Sequence, residues 1–198
     1  MSSNDRNDFL ITMYGKMWDN IDRHILIVWQ SVGVLGGAFA ALVLTEKGAL
    51  PIDYSATLVV LISAWQVAHV VDASWWFNRN LLIVTNIERQ FLTVDDSQQI
   101  HCYFVQHRKP KILDHYQIQA IFGCAVAVLI LIYHFAKQIY PTVVADTSTL
   151  ELMIMSLPYV VFVSAGIGLS CFYRRQHKRH LKLQKASPGK RLSPQEAS

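Results

Sequence analysis

Charge is scarce in this chain of 198 residues. Only 16% of its residues are charged, against about 25% in soluble domains, and long stretches carry no charge at all. Cysteine is scarce too. Cys102, Cys124 and Cys171 form no CxxC or similar pair, which excludes a disulfide framework and a zinc knuckle. The N-terminus lacks a basic segment followed directly by an apolar core and a small-residue cleavage site, so it does not read as a signal peptide. Nucleotide and protease signatures are missing as well: the chain has no P-loop, no GxGxxG and no HExxH. The run GLSCF at 168–172 lacks the second glycine of a serine elbow and lies in an apolar stretch. His101, Cys102, His107 and His115 are too loosely spaced for a metal site. These gaps argue against an enzyme and against a bound metal or cofactor.

What the chain has in quantity is apolar sequence, 52% by residue. Four runs approach the roughly 17–25 residues that a bilayer crossing needs, over about 25–44, 54–73, 117–136 and 151–173. The fold class expected is an all-α integral membrane protein with four transmembrane helices. The membrane domain covers 25–173, and the glycine and proline of 45–53 mark a tight turn between spans one and two.

Lysine and arginine fix the expected orientation. Arg6, Lys16 and Arg23 precede span one; Arg79, Arg89, Arg108, Lys109 and Lys111 lie between spans two and three. Eight more follow span four, whereas Lys47 and Lys137 alone fall on the other side. Basic residues are retained on the cytoplasmic side of short loops, so both termini and the loop 74–115 are expected inside. A plasma membrane, and the bacterial inner membrane in particular, is the expected location.

Outside the spans, Leu10, Tyr14, Met17, Trp18 and Ile21 recur at helical spacing. They predict an amphipathic helix within a cytosolic segment 1–24, lying on the membrane surface or packed against the protein's own cytosolic loop. After span two come Trp75 and Trp76, where aromatic rings favour the headgroup layer, and then Phe77, Leu81, Val84, Ile87 and Phe91 as one apolar face. The loop therefore reads as an amphipathic helical hairpin: a first helix to Phe91, a cap around Asp95 and Asp96, and a second helix through Ile100 and His107, with a short strand over Ile100 to Val105 as the alternative to the latter. A cytosolic platform carrying Trp75, Trp76, Arg79, Glu88 and Arg89 follows from that. The tail 174–198 is basic and then rich in serine and proline, and is expected to be disordered. Arg174, Arg175, Lys178 and Arg179 are its candidates for anionic lipid headgroups, a role that fits better than nucleic acid because stacking aromatics are few.

Within the spans, two features stand out. Gly33, Gly37 and Ala41 repeat every four residues with Gly36 beside them, and Gly123, Gly166 and Gly168 mark further small positions. Small residues let helix backbones approach closely, within the chain or between copies. Gln66, His69 and Asp72 share a helix face by their three-residue steps, and Gln30 lies at comparable depth. An ionisable group inside a span is costly and marks a candidate polar cluster, although Asp72 stands close to the interfacial tryptophans.

Two functions are consistent with these features. The first is a non-enzymatic, homo-oligomeric membrane protein whose cytosolic platform meets a protein partner. It would act as an effector, regulator or scaffold of the kind that serves in stress or defence. The second is a small ion- or proton-coupled transporter or channel using the polar residues of spans one and two.

Overall fold

A computed structural model describes residues 3–99, 114–142 and 148–186. Among them the structure is all-helical, with no strand. The elements are α1 (Ser3–Glu46), α2 (Ile52–Phe91), the short α3 (Val94–Gln99), α4 (Asp114–His134), a π-helical turn (Phe135–Ile139), α5 (Tyr140–Thr142) and α6 (Thr149–Ala186). Helices α1, α2, α4 with its extension, and α6 are each long and apolar enough to cross a membrane.

The boundaries follow from local chemistry. α1 ends where Gly48 takes a φ of +71°, a left-handed conformation that glycine adopts without a Cβ penalty. Gly48 N–H donates to the Thr45 carbonyl and Ala49 N–H to the Leu44 carbonyl, both at 2.9 Å. This is the paired closure of a Schellman motif, satisfying carbonyls the helix end would leave open. Thr93 and Asp96 cap α3 reciprocally: Thr93 N–H donates to Asp96 Oδ2 at 2.8 Å and Asp96 N–H to Thr93 Oγ1 at 3.2 Å. Ser148 and Glu151 repeat the device at the start of α6, answering two orphan N–H groups at each site.

Three expectations change. The N-terminal helix and span one are a single helix of 44 residues, with no break after residue 24. No glycine or proline interrupts 16–32, so nothing ends the helix between the two. The basic stretch 174–186, expected to be disordered, is helical. Arginine, lysine, glutamine and leucine favour helix, and extending the existing α6 avoids a new nucleation step. Buried Gln176 and His180 also anchor one side of it. Finally, the helix of span three, expected to end near residue 136, continues to Thr142 through the π turn. Residues 187–198, and the second helix expected through 100–107, lie outside the described residues.

The chain divides into two compact units. The first comprises the described parts of Met1–Leu26, Ala73–Ile112 and Arg175–Ser198; the second comprises those of Ile27–Asp72 and Leu113–Arg174. In the second unit, Leu35 and Ala38 of α1, Ala56, Val59 and Val60 of α2, and Val126, Ile130 and Leu131 of α4 form one core, with Tyr159 and Val161 of α6 against it. The surface around this core is itself apolar, with Trp29, Ile118, Ile121, Leu129, Met153 and Ile167 all largely exposed. An apolar exterior over a partly polar interior is the arrangement a lipid solvent selects, since lipid tails are as apolar as leucine.

In the first unit, α2 is the central element. Phe77, Leu81, Val84 and Ile87 are buried as the apolar pattern predicts, but so are Ser74, Asn78, Asn80 and Thr85. This segment is therefore surrounded rather than one-sided, which departs from the amphipathic surface helix expected. Its polar residues can be buried because some bond locally: Asn78 Nδ2 donates to the Ser74 carbonyl at 2.7 Å.

Candidate functional site

The most constrained polar cluster of the second unit joins three helices. Asp53 sits in the first turn of α2, His134 is the last residue of α4, and Tyr159 lies in α6. The first turn of a helix suits an acidic side chain such as that of Asp53, because its N-terminus favours an anion. His134 has no exposed surface and Asp53 is 6% exposed. His134 Nε2 stands 2.9 Å from Asp53 Oδ1, and Nδ1 stands 3.1 Å from the Tyr159 hydroxyl. That hydroxyl donates to the Leu131 carbonyl at 3.2 Å.

The histidine tautomer sets the roles at the two ring contacts: Nδ1–H can donate to the Tyr159 oxygen, or Nε2–H to Asp53 Oδ1. Such a network satisfies every buried polar group and fixes three helix positions at once. Beside it, Tyr159 and Leu131 line an open apolar groove of about 340 Å³ with Val128, Ile132, Phe135 and Phe162. The π turn begins directly after His134, with Tyr140 N–H donating to the Phe135 carbonyl. A π turn in a helix frequently accompanies a functional position.

No protein-family model, curated protein or solved structure matches this chain. The residues themselves therefore carry the functional argument.

Of the polar cluster expected from sequence, only Gln66 is fully buried. His69 is half-buried and stacks on Trp65, with ring centroids 5.4 Å apart and planes 12° apart. Asp72 is half-buried and Gln30 is exposed, so Gln30 does not share the environment of Gln66. Gly33, Gly36 and Gly37 are exposed, and a Cβ at any of them would meet nothing within 4 Å among the described residues. Gly166 and Gly168 are likewise open. Ala41 is buried, and its carbonyl accepts from Ser55 Oγ at 3.1 Å. Gly123 alone among these glycines is packed tightly: a Cβ would lie 2.8 Å from Gln66 Oε1 and 3.2 Å from Val67 Cγ2.

In the first unit, Trp76 is the hub of the expected platform. His24 stacks on it at 5.8 Å, Trp75 meets it edge-on at 4.8 Å, and Arg79 stands 5.1 Å over its ring. Tyr14 donates to Glu88 at 3.2 Å and Arg6 to Gln90 at 3.1 Å, tying α1 to α2. The Arg89 guanidinium nitrogens are buried with no hydrogen-bond partner. Arg174, Arg175, Lys178 and Arg179 are exposed and share one face of α6, opposite the buried Gln176 and His180. Among the described residues no group of three His, Cys, Asp or Glu side chains could hold a metal ion. His101, Cys102, His107 and the side chain of His115 lie outside them.

Proposed function

We propose that this chain is a non-enzymatic multi-pass protein of a plasma membrane, the bacterial inner membrane by preference. Both termini face the cytoplasm, and it works as a homo-oligomeric scaffold or effector. The first unit is the cytosolic platform that meets a partner protein, and the basic face of α6 rests against anionic headgroups. The observation that carries the reading is the unused close-approach face of α1. A Cβ at Gly33, Gly36 or Gly37 would meet nothing within 4 Å among the described residues, whereas Ala38 and Ala41 are buried. The placement of lysine and arginine supports the orientation.

The test is the mass of the protein in nanodiscs, wild type beside Gly37→Leu. Because nothing lies within 4 Å of a Cβ at Gly37, the substitution should leave the single-chain fold intact and act on assembly alone. A discrete multimer that becomes a monomer in the variant, with unchanged helix content, is the expected result. A monomeric wild type, or a multimer indifferent to the leucine, would refute it.

A second reading, ion- or proton-coupled transport along the α2–α4 seam, is favoured by a specific observation. Polar side chains are buried there at the Asp53–His134 end and again at Ser63, Gln66 and Gln119. Flux into proteoliposomes that disappears in Gln66→Met, with no effect of Gly37→Leu, would decide for it.

A further inference from the structure

The mid-depth polar layer of the second unit has unmet hydrogen-bonding capacity. Ser63 and Gln66 of α2 and Gln119 of α4 are 1%, 0% and 4% exposed. Ser63 Oγ and both amide atoms of each glutamine are buried without a hydrogen-bond partner. Ser63 and Gln66 meet α4 at Gly123, and Gln119 precedes Gly123 by one helical turn. A Cβ at Gly123 would stand 2.8 Å from Gln66 Oε1 and 3.5 Å from the Ser63 carbonyl oxygen. The missing Cβ is what gives the Gln66 carboxamide its room. Toward the Asp53–His134 cluster the seam is closed by Val59, Val60, Val126 and Ile130, so no polar group on that side can satisfy the layer.

A buried polar group without a partner forfeits its hydration with nothing in return, which makes a bare layer of five such atoms untenable. Their chemistry narrows what could satisfy them. A cation would take the three oxygens and leave both amide NH₂ groups unmet. An anion would take the NH₂ groups and leave the carbonyl oxygens unmet. Only a neutral species that both donates and accepts answers all five atoms. We propose that Ser63, Gln66 and Gln119 form a binding site for such a ligand. Water is its smallest member, and buried water needs only two to four polar partners. A hydroxyl- or amide-bearing solute shares the same chemistry. The site is independent of the oligomeric reading above and stands whether or not α1 associates.

Side-chain ¹⁵N-glutamine NMR of the full chain in nanodiscs tests this, with Gln66 and Gln119 assigned by substitution. The expected result is that both NH₂ groups show through-space cross-peaks to bound ligand and exchange with D₂O. Cross-peaks at the water frequency identify water. Cross-peaks at other frequencies, with the same compound found by mass spectrometry of the extracted protein, identify a solute. In Gln66→Met the ligand cross-peak of Gln119 should be lost. Ser63→Ala, which removes one hydroxyl and no bulk, should weaken the cross-peaks of both glutamines and serves if the methionine variant does not fold. Amide protons that see only protein or lipid CH groups and resist D₂O would overturn the proposal.

Discussion

The Asp53–His134 pair invites a double-mutant cycle, because its geometry predicts a cost that simple loss of bulk does not. Asp53→Leu leaves His134, with no exposed surface, facing a methyl group; His134→Leu leaves Asp53, 6% exposed, with no cation or donor. In soluble proteins, removing one partner of a buried ion pair costs about 3–5 kcal/mol. In a membrane the unfolded chain also finds partners, and side-chain hydrogen bonds there average only about 0.6 kcal/mol. A loss of about 2 kcal/mol for each single variant is therefore expected, between those limits. The double variant, with both polar groups gone, should lose clearly less than the sum, leaving a coupling within the range of about 0.5–3 kcal/mol seen for contacting residues. Tyr159→Phe keeps the ring against the core but strands His134 Nδ1 and the Leu131 carbonyl, and should cost about 1 kcal/mol. Reversible unfolding in mixed micelles under increasing SDS, followed by circular dichroism, measures all four. Additive losses, or single variants within about 0.5 kcal/mol of wild type, would refute the coupled network.

Other expectations follow from single contacts. Gly123→Leu should destabilise the fold by about 1–3 kcal/mol or more through overpacking, since Val67 Cγ2 and Ser63 O hem in even the Cβ. Gly33→Leu should not, and the same SDS titration distinguishes them. The Thr93 backbone N–H and hydroxyl hold the Asp96 carboxyl below its usual value. A depressed carboxylate contributes stability above its unfolded pKa and loses it as pH falls through the folded one. Amide protection factors in α3, taken relative to the intrinsic exchange rate at each pH, should therefore fall below about pH 4, and Asp96→Ala should show low protection at every pH. If α3 in the wild type keeps equal protection at pH 3 and pH 6, the cap does not hold it.

How much of this was legible beforehand depends on whether the signal was local. Periodicity and run length are local, and they placed four spans and the turn at Gly48. The buried Phe77, Leu81, Val84 and Ile87 face was legible for the same reason. Continuity was not. A helix break is easier to imagine at Arg23 than to find, because no glycine or proline stands between residues 16 and 32. The tail failed in the same way: Arg174, Arg175, Lys178 and Arg179 read as a charge run, but their spacing also places them on one helical face. Gly33 and Gly37 showed that a helix could approach closely, without showing whether it was a helix of the same chain.

The Asp53–His134–Tyr159 cluster was missed for a more general reason. An ionisable residue at the end of an apolar run draws no attention, since its cost falls steeply near the interface. Asp53 reads as part of a turn, and His134 as the close of span three. Yet the contacts at Asp53–His134 and Gln66–Gly123 show that α2 and α4 run in opposite directions. In any such pair the first residue of one span meets the last residue of the other. An acidic start facing a histidine end is therefore a readable signal, provided the two spans are taken together. Gln119 was missed on the same ground: alone it is one polar residue in an apolar helix, and it gains meaning only when that register sets it near Gln66. Charge position fixes a span against the membrane, whereas polar register fixes one span against another. It is the second kind of information that the buried groups of this protein carry.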